Sequence, residues 1–112
     1  MPEFFLLLHE DPANWRTVSP EEMQRALEQY FAWTRKPFVL GHEHLAEDVG
    51  KVIRSRDGVP RSADGPYSES KEVLAGFFVI EAADYEEAVA RSLDHPHLAY
   101  GTIEVRQVQR HE

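Results

Sequence analysis

The chain has 112 residues, 42% of them hydrophobic, with 20 acidic against 12 basic side chains and a net charge of −8. That acidic excess repels phosphate backbones and anionic lipids, so neither nucleic acid nor a membrane surface is an expected partner. With no cysteine, disulfides, thiolate catalysis and zinc–cysteine sites are all excluded.

No apolar run approaches the roughly 20 residues that a bilayer span needs. The N-terminal stretch has neither the basic segment nor the small-residue cleavage site of a signal peptide. A single cytoplasmic domain over residues 1–112 is expected, long enough to bury roughly two thirds of its unfolded surface.

In chain order, Pro2 to His9 reads as a first strand, with Phe4-Phe5-Leu6-Leu7-Leu8 apolar on both faces. Asp11-Pro12-Ala13-Asn14 breaks it, and the polar stretch to Val18 reads as a loop. Ser19-Pro20-Glu21-Glu22 then starts a helix: Ser19 caps it, Pro20 takes the first helical position and Glu22 completes a capping box. The helix runs to about Lys36, where Pro37 stops it, and Met23, Ala26, Leu27, Tyr30 and Phe31 form its apolar stripe. Trp33, on the flank of that stripe, is either the wall of a cleft or edge-of-core packing.

Phe38 to Leu45 reads as a second strand and Gly50 to Arg56 as a third, turned at Asp57-Gly58. The return arm Val59 to Ala63 contains Pro60, which confines it to an edge. Arg54, Arg56 and Arg61 around this hairpin read as solvated edge charges. Asp64-Gly65-Pro66 is a turn in which Asp64 can bond its own backbone two residues on. Ala75 to Ile80 is a strand apolar on both faces. Asp84 caps a second helix with Glu87 three residues on, Tyr85, Ala88, Val89, Ser92 and Leu93 are expected to face inward, and His95-Pro96 ends it. His95 is placed where a helix C-terminus favours a cation. Thr102 to Gln109 is the last strand, alternating Ile103 and Val105 with Glu104 and Arg106.

The order β-α-β-β-β-α-β describes an α+β domain, a ferredoxin-like split βαβ arrangement with an added β-hairpin. Strands with two apolar faces need cover on both, and the helices suffice for one. A second copy of the chain is therefore the expected cover for the other, as a homodimer. The alternative is an exposed sheet face carrying a few apolar residues.

Among side chains suited to chemistry, His42 and His44 project from the same face of a strand. Histidine serves as a general base or as a metal ligand. No spacing names a third ligand, although His9 or Asp64 would supply one if the fold brought it close, so no metal site is assigned. The favoured catalytic group is His42 or His44, oriented by Asp64, although the turn alone also accounts for Asp64. Tyr67, Lys71 and Glu72 form a polar group before the buried strand, suited to a small polar ligand or to weak local ion pairs. There is no glycine-rich phosphate loop and no nucleophile elbow.

The run Asp64-Gly65-Pro66-Tyr67-Ser68-Glu69-Ser70-Lys71-Glu72 resembles the DGPFAETKE signature of the DGPF-domain, or YCII-related, family. Similar echoes are Tyr30 and Trp33, Gly41, Gly76 to Ile80, Asp84 to Ala88, His95-Pro96 and Glu104-Val105-Arg106. Tyr67, Ser68, Ser70 and Gln107 depart from the family's usual residues. The resemblance implies a dimeric α+β barrel in which two sheets pack face to face. It also implies likeness to small dimeric enzymes that use clefts between sheet and helices. Taken with the residues, the expected protein binds a small molecule or is enzyme-like, without an organic cofactor, with His42 or His44 as the proton-transfer group, Asp64 orienting it and Trp33 and Tyr67 as walls. A His/Asp pair is suggested as catalytic in the YCII branch, but the first helix here has no histidine, so that pairing does not carry over. The family's frequent proximity to sigma-factor genes implies the alternative, a non-catalytic regulatory or ligand-sensing dimer.

Overall fold

A computed structural model describes residues 1–111. Six strands and three α-helices follow in the order β1 (Glu3–Glu10), α1 (Ala13–Arg16), α2 (Pro20–Trp33), β2 (Val39–His44), β3 (Lys51–Arg56), β4 (Val59–Asp64), β5 (Val73–Glu81), α3 (Tyr85–Ser92) and β6 (Gly101–Gln107). A 3-10 turn at Pro96–Ala99 precedes β6. The main sheet has the order β2-β5-β1-β6, with every neighbouring pair antiparallel. β1 and β2 therefore run the same way with β5 inserted between them, the split arrangement expected from the element order. β3 and β4 form a separate two-stranded sheet.

Strand alternation divides the main sheet into two faces. Phe4, Leu6 and Leu8 of β1 and Phe78 and Ile80 of β5 are buried on the helix side, where Trp33, Ala82 and Ala88 complete the core. Phe5, Leu7, Phe77 and Val79 point the other way and are only half-buried. Phe5 meets Phe77 edge to face, their centroids 5.3 Å apart. Both apolar faces expected of β1 and β5 exist, and the helices cover one of them.

The caps form as their residue types require. Ser19 accepts from the Glu22 N–H at 3.1 Å, and Asp84 accepts from the Glu87 N–H at 2.9 Å while the Glu87 carboxylate accepts from the N–H of Ala83. The hairpin turns through Asp57 and Gly58, both with positive φ (52° and 78°), as a two-residue type I′ connection demands. β4 pairs along its length with β3 despite Pro60, because an edge strand leaves room for a residue that cannot donate.

Several expectations are corrected. The stretch after Asp11 is not all loop: α1 forms there, pinned by Trp15 stacked on Tyr100 at 4.2 Å and by Asn14 donating to the Tyr100 carbonyl. Asp64 does not close a turn on its own backbone. It is the last residue of β4, and its carboxylate accepts from Lys51. The glycine after it is required by close approach, since a Cβ on Gly65 would lie 1.9 Å from the carbonyl oxygen of Val49. In α3 only Ala88 and Ser92 are buried, and Leu93 is 69% exposed, because the helix is short and ends at Ser92.

His95 is not a cation at a helix end. It is 2% exposed, packed against Trp33 and Phe78, and its Nδ1 accepts the backbone N–H of His97. Burial holds it neutral, with a pKa pushed down to about 4.

Candidate functional site

The packing leaves a cavity of about 150 Å³ between α2 and the β2 side of the sheet, with Trp15 of α1 among its walls. It is the size of cavity that holds a single benzene-like ring. Leu8 and Phe78 from the sheet and Met23, Leu27 and Phe31 from α2 make it mostly apolar. The outer part of the α2 stripe thus faces the cavity rather than closed core, which is why Leu27 and Phe31 remain exposed. Gly76 also lines it: a Cβ there would lie 2.6 Å from the carbonyl oxygen of Glu43, so the close pairing of β2 with β5 admits no side chain.

Polar groups enter this apolar space at a few points. His42 and His44 both line it, placed there by strand alternation opposite Phe78 and Gly76. The His42 ring stacks on Phe78 with centroids 5.6 Å apart. Glu10, at the end of β1, lines the same space, and burial raises its carboxyl above the ordinary value against the opposing pull of Trp15 and His44. Tyr30 hydrogen-bonds through its hydroxyl to His97 Nδ1 at 2.7 Å, and His97 Nε2 lies 2.9 Å from the carbonyl oxygen of His9. Burial raises the Tyr30 hydroxyl and lowers His97, so both stay neutral near pH 7.

Of the residues singled out from the sequence, the structure brings only His42 and His44 together in the cavity. Asp64 is not among the lining residues; it sits on the exposed hairpin with Lys51, so the expected His/Asp pairing is not formed within the chain. Trp33 is core rather than wall: it is 4% exposed, packs on Phe38, Phe78 and His95, and donates its indole N–H to Asp94 at 3.0 Å. Tyr67 is 81% exposed, with Arg54 over its ring. Lys71 is exposed, and Glu72 accepts from the Thr102 hydroxyl. Among the described residues, no three metal-ligating side chains converge.

Sequence reasoning passed over Glu10 and His97 and read Tyr30 as part of an apolar stripe and as an echo of the family, with no partner for its hydroxyl. The tyrosine hydroxyl at the edge of that stripe was the available signal, because a half-buried phenol needs a hydrogen-bond partner. Nothing local marks His97 as that partner, 67 residues away.

The profile of the YCII-related domain matches residues 3–112. The chain belongs to the YCII-related family. An uncharacterised protein of Rhizobium meliloti (strain 1021) is similar, at 29% identity over 110 residues, covering 92% of this chain and 89% of the other. In this YCII-related domain the signature run from Asp64 to Glu72 joins the β3–β4 hairpin to β5, away from the cavity. No helix among the described residues is long and apolar enough to cross a membrane.

Proposed function

We propose that this YCII-related domain is a cytoplasmic homodimer that binds a small, mostly apolar molecule in the α2–β2 cavity and moves a proton on it without an organic cofactor. One observation carries this reading: a carboxyl raised by burial, Glu10, shares an apolar cavity with two imidazoles, His42 and His44. A carboxyl whose ionisation burial disfavours, set beside imidazole nitrogens that can accept or donate a proton, is an arrangement suited to general acid–base transfer. Glu10 is the proposed base, with His42 and His44 as the groups that hold or pass the proton. Asp64 has no part in this reading. The homodimer rests on the half-buried face of Phe5, Leu7, Phe77 and Val79, whose apolar side chains a second copy of the same sheet would cover.

The test is a fragment screen by thermal shift on the parent, Glu10→Gln and His42→Ala, followed by incubation of each hit in deuterium oxide. Hits are expected to stabilise the parent more than His42→Ala and to take up solvent deuterium in a Glu10-dependent way. Equal stabilisation of all three proteins would remove the cavity as the binding site. A ligand that binds there but takes up no deuterium would replace catalysis with the non-catalytic, ligand-sensing reading.

A further inference from the structure

The Tyr30–His97 hydrogen bond has a determined direction, and that direction constrains what the cavity accepts. The carbonyl of His9 can only accept, so His97 Nε2, 2.9 Å away, carries a proton. His97 is 1% exposed and its ring neighbours Tyr30 and His95 carry no negative charge, so the ring is held neutral and Nδ1 is a bare lone pair. Tyr30 must then donate to Nδ1 across the 2.7 Å contact. The arrangement is fixed by backbone on two sides. His97 donates its own N–H to His95 Nδ1. Gly101 leaves the space that the His9–His97 contact occupies, since a Cβ there would lie 2.1 Å from the His9 oxygen and 2.7 Å from His97 Nε2.

A phenol has one proton. With that proton committed to His97, the Tyr30 oxygen has only lone pairs left to offer, and both residues line the cavity. We infer that the cavity selects a ring-sized apolar ligand bearing an O–H or N–H donor, seated with that donor on the Tyr30 oxygen. His97 is the positioning residue that makes Tyr30 an acceptor. This deepens the proposed function and rests on its reading of the cavity as the binding site.

The experiment measures binding of phenol, fluorobenzene and benzaldehyde, rings of similar size, by ligand-observed NMR titration of the parent, Tyr30→Phe and His97→Leu. The parent is expected to bind phenol about tenfold more tightly than the other two, the value of one net hydrogen bond. Tyr30→Phe, which leaves the His9–His97 bond in place, should bind all three alike. His97→Leu releases the Tyr30 proton toward the cavity, so benzaldehyde, an acceptor only, should gain on phenol. A merely structural role for His97 would not produce that gain. Equal binding of the three rings by the parent, or a phenol preference that survives Tyr30→Phe, overturns the inference. If none of the rings binds while the fragment screen finds cavity ligands, this inference alone fails. If nothing at all binds in the cavity, the proposed function fails with it.

Discussion

His42 lies on Phe78 with the ring planes 28° from parallel, so one of the two cavity imidazoles rests on a side chain that belongs to the core. The two residues separate binding from stability. His42 is exposed at the cavity, and its replacement by alanine is expected to change folding stability by no more than about 0.5 kcal/mol. Phe78→Leu removes the platform and disturbs the core, at an expected cost of about 1–3 kcal/mol. Both should weaken binding of any cavity ligand, with urea denaturation distinguishing them. A destabilised His42→Ala would mean that the imidazole supports the fold.

Trp33 makes the opposite case. Its ring is buried and its indole N–H is held by Asp94, whose other carboxylate oxygen takes Lys36 at 2.8 Å. Trp33→Ala is expected to cost about 3–5 kcal/mol, the usual range for deleting a core aromatic. Trp33→Phe keeps most of the packing, so it should leave the affinity of a cavity ligand unchanged. A Trp33→Phe protein that folds normally but loses the ligand would return this residue to the wall of the site.

These contrasts show what the sequence could reveal. The order of the elements other than α1, both caps, the Asp57-Gly58 turn and the two-faced β1 and β5 were legible because each depends on residues within a few positions of one another. His42 and His44 were legible as a same-face pair for the same reason. What they face was not, since the opposing wall comes from α2 and α1, far away in sequence, and α1 is too short to announce itself by periodicity. Asp64 misled because Asp-Gly-Pro accounts for a turn by itself, whereas the carboxylate is taken by Lys51 across a hairpin pairing. His95 misled because its position after a helix was visible and its burial under Trp33 and Phe78 was not.

Gly101 tests the backbone side of the Tyr30–His97 arrangement. A methyl group there would press on the His9 carbonyl and on His97 Nε2. Gly101→Ala is therefore expected to destabilise by about 1–3 kcal/mol, as overpacking of a close-fitted site does. It should also shift the His97 ring resonances in a histidine-selective NMR spectrum. Unchanged resonances would show that the backbone relaxes around the methyl.

His95 should make stability fall in acid. Its depressed pKa comes first from burial, then from His97, with Asp94 pulling the other way. The unfolded chain takes up this proton near pH 6.5, whereas the fold resists it down to about 4. The contribution is therefore complete above 6.5 and is lost as the pH falls through that window, on the order of 3 kcal/mol in all. His97, depressed in the same direction, adds to the slope. His95→Asn keeps an acceptor for the His97 N–H and cannot titrate. Urea midpoints measured at about pH 7.5 and about pH 5 should differ less in His95→Asn than in the parent; equal differences would show that His95 is not the group that titrates.

The open sheet face supplies the last test. Phe5, Leu7, Phe77 and Val79 lie together on it, away from the helix-side core, and Glu104 with Arg106 on the neighbouring β6 places both signs of charge beside them. If a second copy covers this face, light scattering should return twice the chain mass at micromolar concentration. A carboxylate at its centre would then be buried without a partner, which association does not tolerate. Phe77→Glu is expected to return a single chain mass with an unchanged far-ultraviolet circular dichroism spectrum, because the helix-side core does not use this side chain. A parent already of single-chain mass would leave the face wet and remove the dimer. A Phe77→Glu protein that stays at twice the mass would move the contact elsewhere, with the exposed β3–β4 hairpin and its Ile53, 72% exposed, as the next surface to mutate.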